Sequence, residues 1–287
     1  MNSINGEKLP ITVVILTKNE EEVIANAIKS AIHHFSEIIV LDSFSDDSTV
    51  ELALLNSAKV FQNTFVGYAS QRNFALKEMP KVNEWVFFLD ADEAISEELV
   101  LELHQVFKRL VTEGFGMAYM RRKDFFMGQW IRRSSGYPTW FGRLCHAPSV
   151  RVEREINEEY HCDLQTMRLS GHLLHYPFAK GLAYWIDRHN RYSTAEAEEK
   201  AKGVKGESKL IFSRDPGLRR KGLKQLYMRL PFRPLAGFLY LYVFNGGFLD
   251  GKAGLRFALL RAFYEFLINL KLDEVRTADK KTQGHHQ

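Results

Sequence analysis

Four short apolar runs, each followed by a helical pattern, fill the first 110 residues and leave few folds open. They are Ile11–Leu16 (ITVVIL), Glu37–Leu41 (EIIVL), Lys59–Phe61 (KVF) and Glu84–Leu89 (EWVFFL). The first two are continuous rather than alternating, which indicates strands buried on both faces; Lys59–Phe61 reads as a short third strand and Glu84–Leu89 as a fourth. Helical spacing follows each. Val23, Ala27, Ile28, Ala31 and Ile32 recur within Glu21–His33. Thr49–Ser57 lies behind the capping residues Ser45-Asp46-Asp47-Ser48, and Ser70–Glu78 follows the third strand. A fourth helix runs from Ser96, as N-cap, to about Val111, with Glu97 and Glu98 in its first turn. The expected fold is α/β, a Rossmann-like, mostly parallel sheet with helices on both faces. In such sheets ligands bind beyond the carboxyl ends of the strands. Thr17, Asn19, Glu20, Asp42, Ser43, Asp90 and Asp92 all fall there.

Asp90-Ala91-Asp92 follows the fourth run directly. Two aspartates two positions apart can converge on one hard cation, Mg²⁺ or Mn²⁺, completed by substrate phosphate oxygens. The plain alternative is a turn and helix-capping cluster. Asp42 ends the second strand, where a carboxylate accepts a hydrogen bond from a base N–H or a ribose hydroxyl, or simply caps its loop. Gln71-Arg72-Asn73 opens a helix. Arg72, with the helix N–H groups, suits a phosphate; a surface ion pair is the alternative.

Several chemistries lose support. There is no GxGxxG, no GxxxxGK[ST], no GxSxG and no HExxH. The chain is 45% hydrophobic and 26% charged, which excludes disorder throughout, collagen and low-complexity fibres. Lys and Arg number 39 against 35 Asp and Glu, and the resulting +4 is too mild for a dedicated nucleic-acid binder. Cys145 and Cys162 form no CxxC, which argues against a disulfide scaffold and fits a reducing cytoplasm. Met1–Pro10 is polar, so no signal peptide is expected.

Beyond residue 115 the pattern loosens. Gly116–Met120 reads as a strand, and Gly128, Gly136, Pro138, Gly142 and Pro148 punctuate an aromatic, loop-rich stretch. Gly181–Lys200 reads as a charged helix. Then Lys209, Arg214, Arg219, Arg220, Lys221, Lys224, Arg229 and Arg233 face one acid, Asp215. Leu235–Leu249 (LAGFLYLYVFNGGFL) carries no charge but falls short of the ~20 apolar residues a span needs, so it is expected to be interfacial, re-entrant or buried. Leu255–Leu270 is an amphipathic helix with a wide apolar arc, and Asp273–Gln287 reads as a frayed polar tail. The expected organisation is a catalytic domain over 1–205 and a basic, amphipathic helical region over 206–287. That region suits an anionic inner-leaflet membrane surface; packing on the catalytic domain or a homodimer contact is the alternative. The expected location is cytoplasmic, peripheral to the inner face of the cytoplasmic membrane.

The strings ITVVILTKNEEEVIANAIKS, EIIVLDSFSDDSTVELA, ASQRNFAL and WVFFLDADEAIS, in that order, resemble the family 2 glycosyltransferases with the A-type nucleotide-sugar-binding fold. The later stretches YMRRKDFFMG, Arg143-Leu144, Asn157-Glu158, GHLLHY and RHNRYS are similar to the subgroup related to lipopolysaccharide core β-1,4-glucosyltransferases. The resemblance implies inverting transfer of a hexose from a UDP-sugar to a hydroxyl of a glycolipid or lipopolysaccharide core acceptor. It assigns Thr17, Asn19, Glu20 and Asp42 to uridine and ribose. It assigns Asp92, and less directly Asp90, to the metal, with Asp90 nearer the ribose. Glu158 takes the place of the base, although the subgroup commonly has His-Glu where this chain has Asn157-Glu158; Asp124 and Glu155 stand next. His175 is either a further ligand to the metal or diphosphate, or a structural histidine. Tyr137, Trp130, Trp140 and Phe141 flank the acceptor side, with core packing as the alternative. A sugar-1-phosphate nucleotidyltransferase needs a glycine-rich loop near the first strand, and TKNEEE is not one. A non-catalytic nucleotide-sugar-binding membrane scaffold stays open as a rival.

Overall fold

A computed structural model describes residues 7–153, 158–201, 222 and 232–284, with side chains up to residue 278. The strands are β1 (Leu9–Thr17), β2 (Phe35–Asp42), β3 (Lys59–Gln62), β4 (Trp85–Asp90), β5 (Glu93–Ile95), β6 (Phe115–Phe126), β7 (Gln129–Trp130), β8 (Trp140–His146), β9 (Val150–Glu153), β10 (Glu159–Cys162) and β11 (Gln165–His175). The α-helices are α1 (Ile24–Lys29), α2 (Thr49–Leu55), α3 (Tyr68–Lys77), α4 (Glu97–Thr112), α5 (Gly181–Ala201), α6 (Arg233–Leu239) and α7 (Gly251–Gly284). The chain divides into two units, one of residues 1–125 and 137–180, the other of residues 126–136 and 181–287. The expected boundary at 205/206 lies outside the described residues.

In the first unit the sheet order is β3-β2-β1-β4-β8-β6-β11-β5. The first four strands are mutually parallel, as the alternating pattern implies. Beyond β4 the sheet becomes mixed: β8 is antiparallel to β4 and β6, β6 is parallel to β11, and β5 is antiparallel to β11. The runs of β1, β2 and β4 are continuous because both faces are covered, whereas β3, at the edge of the sheet, has no buried residue. Val13, Ile15, Val40, Phe87 and Leu89 face one way and pack with Ile24, Ile28, Ala53, Leu99 and Leu103 of α1, α2 and α4. Val14, Ile39, Leu41, Val86 and Phe88 face the other way and pack with Ala69, Ala75 and Leu76 of α3 and with Val150 and Val152 of β9. Ser96 caps α4 as expected, its side chain accepting from the Leu99 N–H at 3.2 Å.

The second unit is helical. Tyr264 on α7 donates to Glu196 on α5 at 2.7 Å, and Lys271 Nζ donates to the Asn190 carbonyl at 2.6 Å and Ser193 Oγ at 2.9 Å. Asp250 Oδ2 accepts from the backbone N–H groups of Arg133 and Ser134 at 2.8 and 2.7 Å. Two expectations change here. The segment 273–284 continues α7 rather than fraying; Glu274, Arg276, Ala278, Lys280, Lys281 and Gln283 are good helix formers and favour its extension beyond Leu272. Arg233 is buried and donates through Nε to Glu265 at 2.9 Å, so it leaves the solvent-facing basic block. The other seven members, Lys209 to Arg229, lie outside the described residues. No described helix is long and apolar enough to cross a membrane.

Candidate active site

The carboxyl ends of the parallel strands form one edge. In register, Gln62 stands opposite Asp42, Asp42 opposite Thr17, and Leu16 opposite Asp90. Asp42 is fully buried, and its carboxylate accepts from Thr17 Oγ1 at 3.0 Å, the Ser45 N–H at 2.8 Å, the Ser45 hydroxyl, and Gln62 Nε2 at 3.3 Å. Asn19 has φ 57°, a left-handed conformation that short polar side chains tolerate. Its N–H donates to Ser45 Oγ at 2.8 Å, and its Oδ1 accepts from the Asp46 N–H at 3.0 Å. The Glu20 N–H donates to Thr49 Oγ1 at 2.7 Å. Lys180 joins the two, donating to the Asn19 carbonyl and standing 3.4 Å from Glu20 Oε2. Thr17, Asn19, Glu20 and Asp42 are thus gathered at the β1 and β2 ends.

Three consecutive residues of α3 turn to three different tasks. Gln71 Nε2 donates to Ser43 Oγ at 3.1 Å, bracing the loop after β2. Asn73 makes a paired bond with the Val152 backbone, at 2.7 and 3.0 Å, and so ties β9 to the helix. Arg72 lies between them, buried, its guanidinium 5.0 Å from the Phe88 ring centroid. It donates to Asp90 Oδ1 and to Glu158 Oε1, each at 3.1 Å. Glu158 is carried there by the β9–β10 pair, in which Glu159 stands opposite Glu153.

From Glu158 a chain of alternating charges runs across the sheet. Arg72 links Glu158 to Asp90. Arg143, also buried, grips Asp90 Oδ1 at 3.2 Å and Oδ2 at 2.5 Å, and reaches Glu93 Oε1 at 2.8 Å. Arg122 stands 3.5 Å from Glu93 and 3.1 Å from Asp124. Asp124 Oδ1 is hydrogen-bonded to His175 Nδ1 at 2.6 Å, and His175 Nε2 lies 3.5 Å from Asp92 Oδ2. Burial opposes charge on Asp90, but Arg143 and then Arg72 more than offset it and hold the carboxyl well below its usual range. Glu93 goes the other way: burial raises it, and the neighbouring Asp90 charge adds to that. His175 is likewise opposed by burial and by Arg122, yet Asp92 and Asp124 raise its pKa to about 9.

The structure therefore joins Arg72, Asp90, Asp92, Glu158 and His175 in one network. Both oxygens of Asp90 are taken by guanidinium groups. Asp92 and His175 face each other closely enough to offer a single cation one oxygen and, once the imidazolium gives up the proton that Asp92 favours, one nitrogen, and Asp124 fixes the far side of the ring. Among the described residues no three or more His, Cys, Asp or Glu side chains are grouped to hold a metal ion. Mg²⁺ needs only one or two protein ligands when phosphates and waters complete the shell, so the pair fits such an ion. Arg122, Arg143 and Glu93 lie in stretches that carry the resemblance but have no role assigned from the sequence. The available signal was charge inside strands, since a buried guanidinium demands carboxylate partners. Trp140 and Tyr137 flank Arg121, whose guanidinium lies 5.5 and 5.8 Å from their ring centroids; Trp140 stands opposite Arg121 in the sheet.

The model of the glycosyl transferase family 2 matches residues 12–169. The chain is 27% identical over 275 residues to an uncharacterized glycosyltransferase of Rickettsia typhi, covering 92% of this chain and 87% of that protein. It is 27% identical over 285 residues to the lipopolysaccharide core biosynthesis glycosyltransferase LpsC of Rhizobium meliloti, covering 92% of each. Among solved structures, S. aureus TarS 1–349 is 15% identical with a TM-score of 0.43, over 96% of this chain and 92% of that one.

Proposed function

The chain belongs to glycosyl transferase family 2, and from that premise we propose that it moves a hexosyl group from a UDP-sugar to a hydroxyl of a lipid-linked glycan or lipopolysaccharide core, with inversion. The observation that carries this reading is the single network linking a cation-competent pair, Asp92 and His175, to a carboxylate, Glu158, at the carboxyl edge of the parallel strands.

Asp92 and His175 would hold Mg²⁺ or Mn²⁺, which when bound neutralises the donor's diphosphate and makes it a better leaving group. Thr17, Asn19, Glu20 and Asp42 take the nucleoside. Of the bonds on Asp42, the one from Gln62 at 3.3 Å is the longest and the one a base N–H replaces most cheaply. Glu158 accepts the proton of the acceptor hydroxyl as that oxygen bonds to the anomeric carbon. The bond from that carbon to the diphosphate oxygen breaks, and the electron pair leaves with UDP. Asp90, its charge answered by two guanidinium groups, is fixed at the end of β4, where the resemblance puts it nearer the ribose than the metal.

A panel of UDP-sugars with and without Mn²⁺, read by thermal shift and calorimetry, tests the core of this. Donor affinity should depend on the ion in the wild type and lose that dependence in Asp92→Ala. Equal affinity with and without metal in the wild type overturns it. Glu158→Gln should lower turnover by ~10²–10⁴-fold while donor binding persists.

The acceptor's lipid calls for a membrane surface, and the second unit offers one. Leu255, Leu259, Phe263, Phe266 and Leu270 are exposed on α7. At 100° per residue they span an arc of about 80°. Phe244, 80% exposed, and Phe248 and Leu249 project from the segment before that helix. The neighbouring basic residues of the sequence favour an anionic bilayer. Vesicles of phosphatidylglycerol should float the protein, and Leu259→Glu with Phe263→Glu should abolish flotation. Unchanged flotation, or loss of a dimer instead, would assign the stripe elsewhere.

A further inference from the structure

We infer that Arg72 is a positioning residue for the transfer reaction, acting through Glu158 by holding that carboxylate at a fixed place relative to Asp90. The sequence favours a phosphate for Arg72, but two of its three nitrogens, Nε and Nη2, donate to protein carboxylates. It is buried, one edge of the guanidinium on Asp90 and Nε on Glu158, with the flat face over Phe88. Nη1 is buried without a hydrogen-bond partner. A planar fork of this kind sets the relative placement of two acceptors, which a point charge does not.

The two carboxylates differ in how much they rely on Arg72. Asp90 is also gripped through both oxygens by Arg143 and stays in place without Arg72. Glu158 is held, among the described residues, by Arg72 alone. Removing Arg72 therefore frees the base and leaves the donor side braced. A base must meet its proton within hydrogen-bond reach, so a freed Glu158 shows up as lost turnover rather than lost donor affinity. This inference rests on the reading of Glu158 as base.

The test is a double-mutant cycle on the full chain with Arg72→Gln, Glu158→Gln and the pair. Its readouts are UDP release from UDP-glucose with Mn²⁺ and truncated-core lipopolysaccharide, UDP affinity by calorimetry, and thermal melts. Arg72→Gln should lower kcat by about 10–100-fold, the scale of losing an orienting partner, with UDP affinity unchanged. In the Glu158→Gln background the same change should cost no further turnover. Arg72→Lys keeps the charge and volume but serves one carboxylate at a time, so it should recover part of the loss; it also carries the cycle if Arg72→Gln does not fold. Multiplicative losses in the pair, or a fall in UDP affinity that matches the fall in kcat, overturn the inference while leaving Glu158 as base. Wild-type turnover in Glu158→Gln removes the base assignment itself, and the coupling with it.

Discussion

His175 Nδ1 and Asp124 Oδ1 are 2.6 Å apart, on β11 and β6, strands that pair in parallel with these two residues in register. Asp124 therefore works on the ring from behind while Nε2 faces Asp92. An imidazole whose far nitrogen is fixed by a carboxylate has its tautomer and orientation set for a cation. Asp124→Ala should weaken Mn²⁺-dependent UDP binding by about 10–100-fold, with metal-free binding unaltered. Calorimetry with and without Mn²⁺ checks it; equal losses in both conditions would make Asp124 a purely structural residue.

The parallel half of the fold was legible because its strands are buried on both faces and each βα turn leaves a polar group at the carboxyl end. Thr17, Asp42 and Asp90 follow from that periodicity alone. Arg143 and Glu93 did not, since their pairing depends on β8 lying antiparallel to β4, a neighbour relation that no local pattern encodes. The burial of Arg233 is hidden in the sequence for a related reason. Its partner Glu265 is distant in sequence, and a run of like charges hides the one member that is buried. The polar segment 273–284 gives no apolar periodicity to read, and its helix rests on the propensity of residues such as Glu274, Arg276 and Ala278.

Arg143 is the best-embedded member of the network. It serves Asp90 with two nitrogens and Glu93 with one, and its own charge is favoured far beyond the ordinary guanidinium range, its two carboxylate partners outweighing burial. Arg143→Met leaves Glu93 fully buried with Arg122, at 3.5 Å, as the nearest cation and the Asp90 N–H, at 3.2 Å, as its remaining hydrogen bond. Breaking one side of a buried ion pair costs about 3–5 kcal/mol. Urea unfolding should show a loss of that size, and less for Arg143→Lys. A loss below about 1 kcal/mol, the value of a surface pair, would mean that solvent reaches these groups.

In the second unit, His189 stacks on Trp185, with ring centroids 3.7 Å apart, and donates to the Trp185 carbonyl at 2.8 Å. Burial lowers its pKa to about 4, with Arg188 and Arg261 assisting. The unfolded chain takes up this proton near pH 6.5 and the native one does not, so the contribution is intact above about 6.5 and is lost as pH falls towards 4. His189→Phe keeps a ring in the stack without the titration. The melting-temperature difference between wild type and variant should shift against the wild type between pH 7 and 4. A difference that stays flat with pH would remove His189 as the cause.

Gly171 decides how closely β11 approaches α4. A Cβ there would come within 2.5 Å of Leu99 Cα, 2.8 Å of Leu99 Cβ and 2.9 Å of the Leu99 nitrogen, so backbone rather than a pliable side chain must give way. The approach is reinforced from both sides. The Ser170 and Gly171 N–H groups donate to the Glu102 carboxylate at 2.8 and 2.7 Å, and the Ser96 N–H donates to the His172 carbonyl at 3.2 Å. Four residues further along the same strand lies His175, so a shift of β11 reaches the pair that faces Asp92. Gly171→Ala should destabilise the first unit by about 1–3 kcal/mol, the cost of overpacking a close contact. It should also weaken Mn²⁺-dependent UDP binding although it touches no ligand. Glu102→Gln loosens the same junction without a clash and should show the binding defect in milder form. If Gly171→Ala loses stability but binds UDP with Mn²⁺ as the wild type does, the strand position is set at His175 itself and not at the α4 junction.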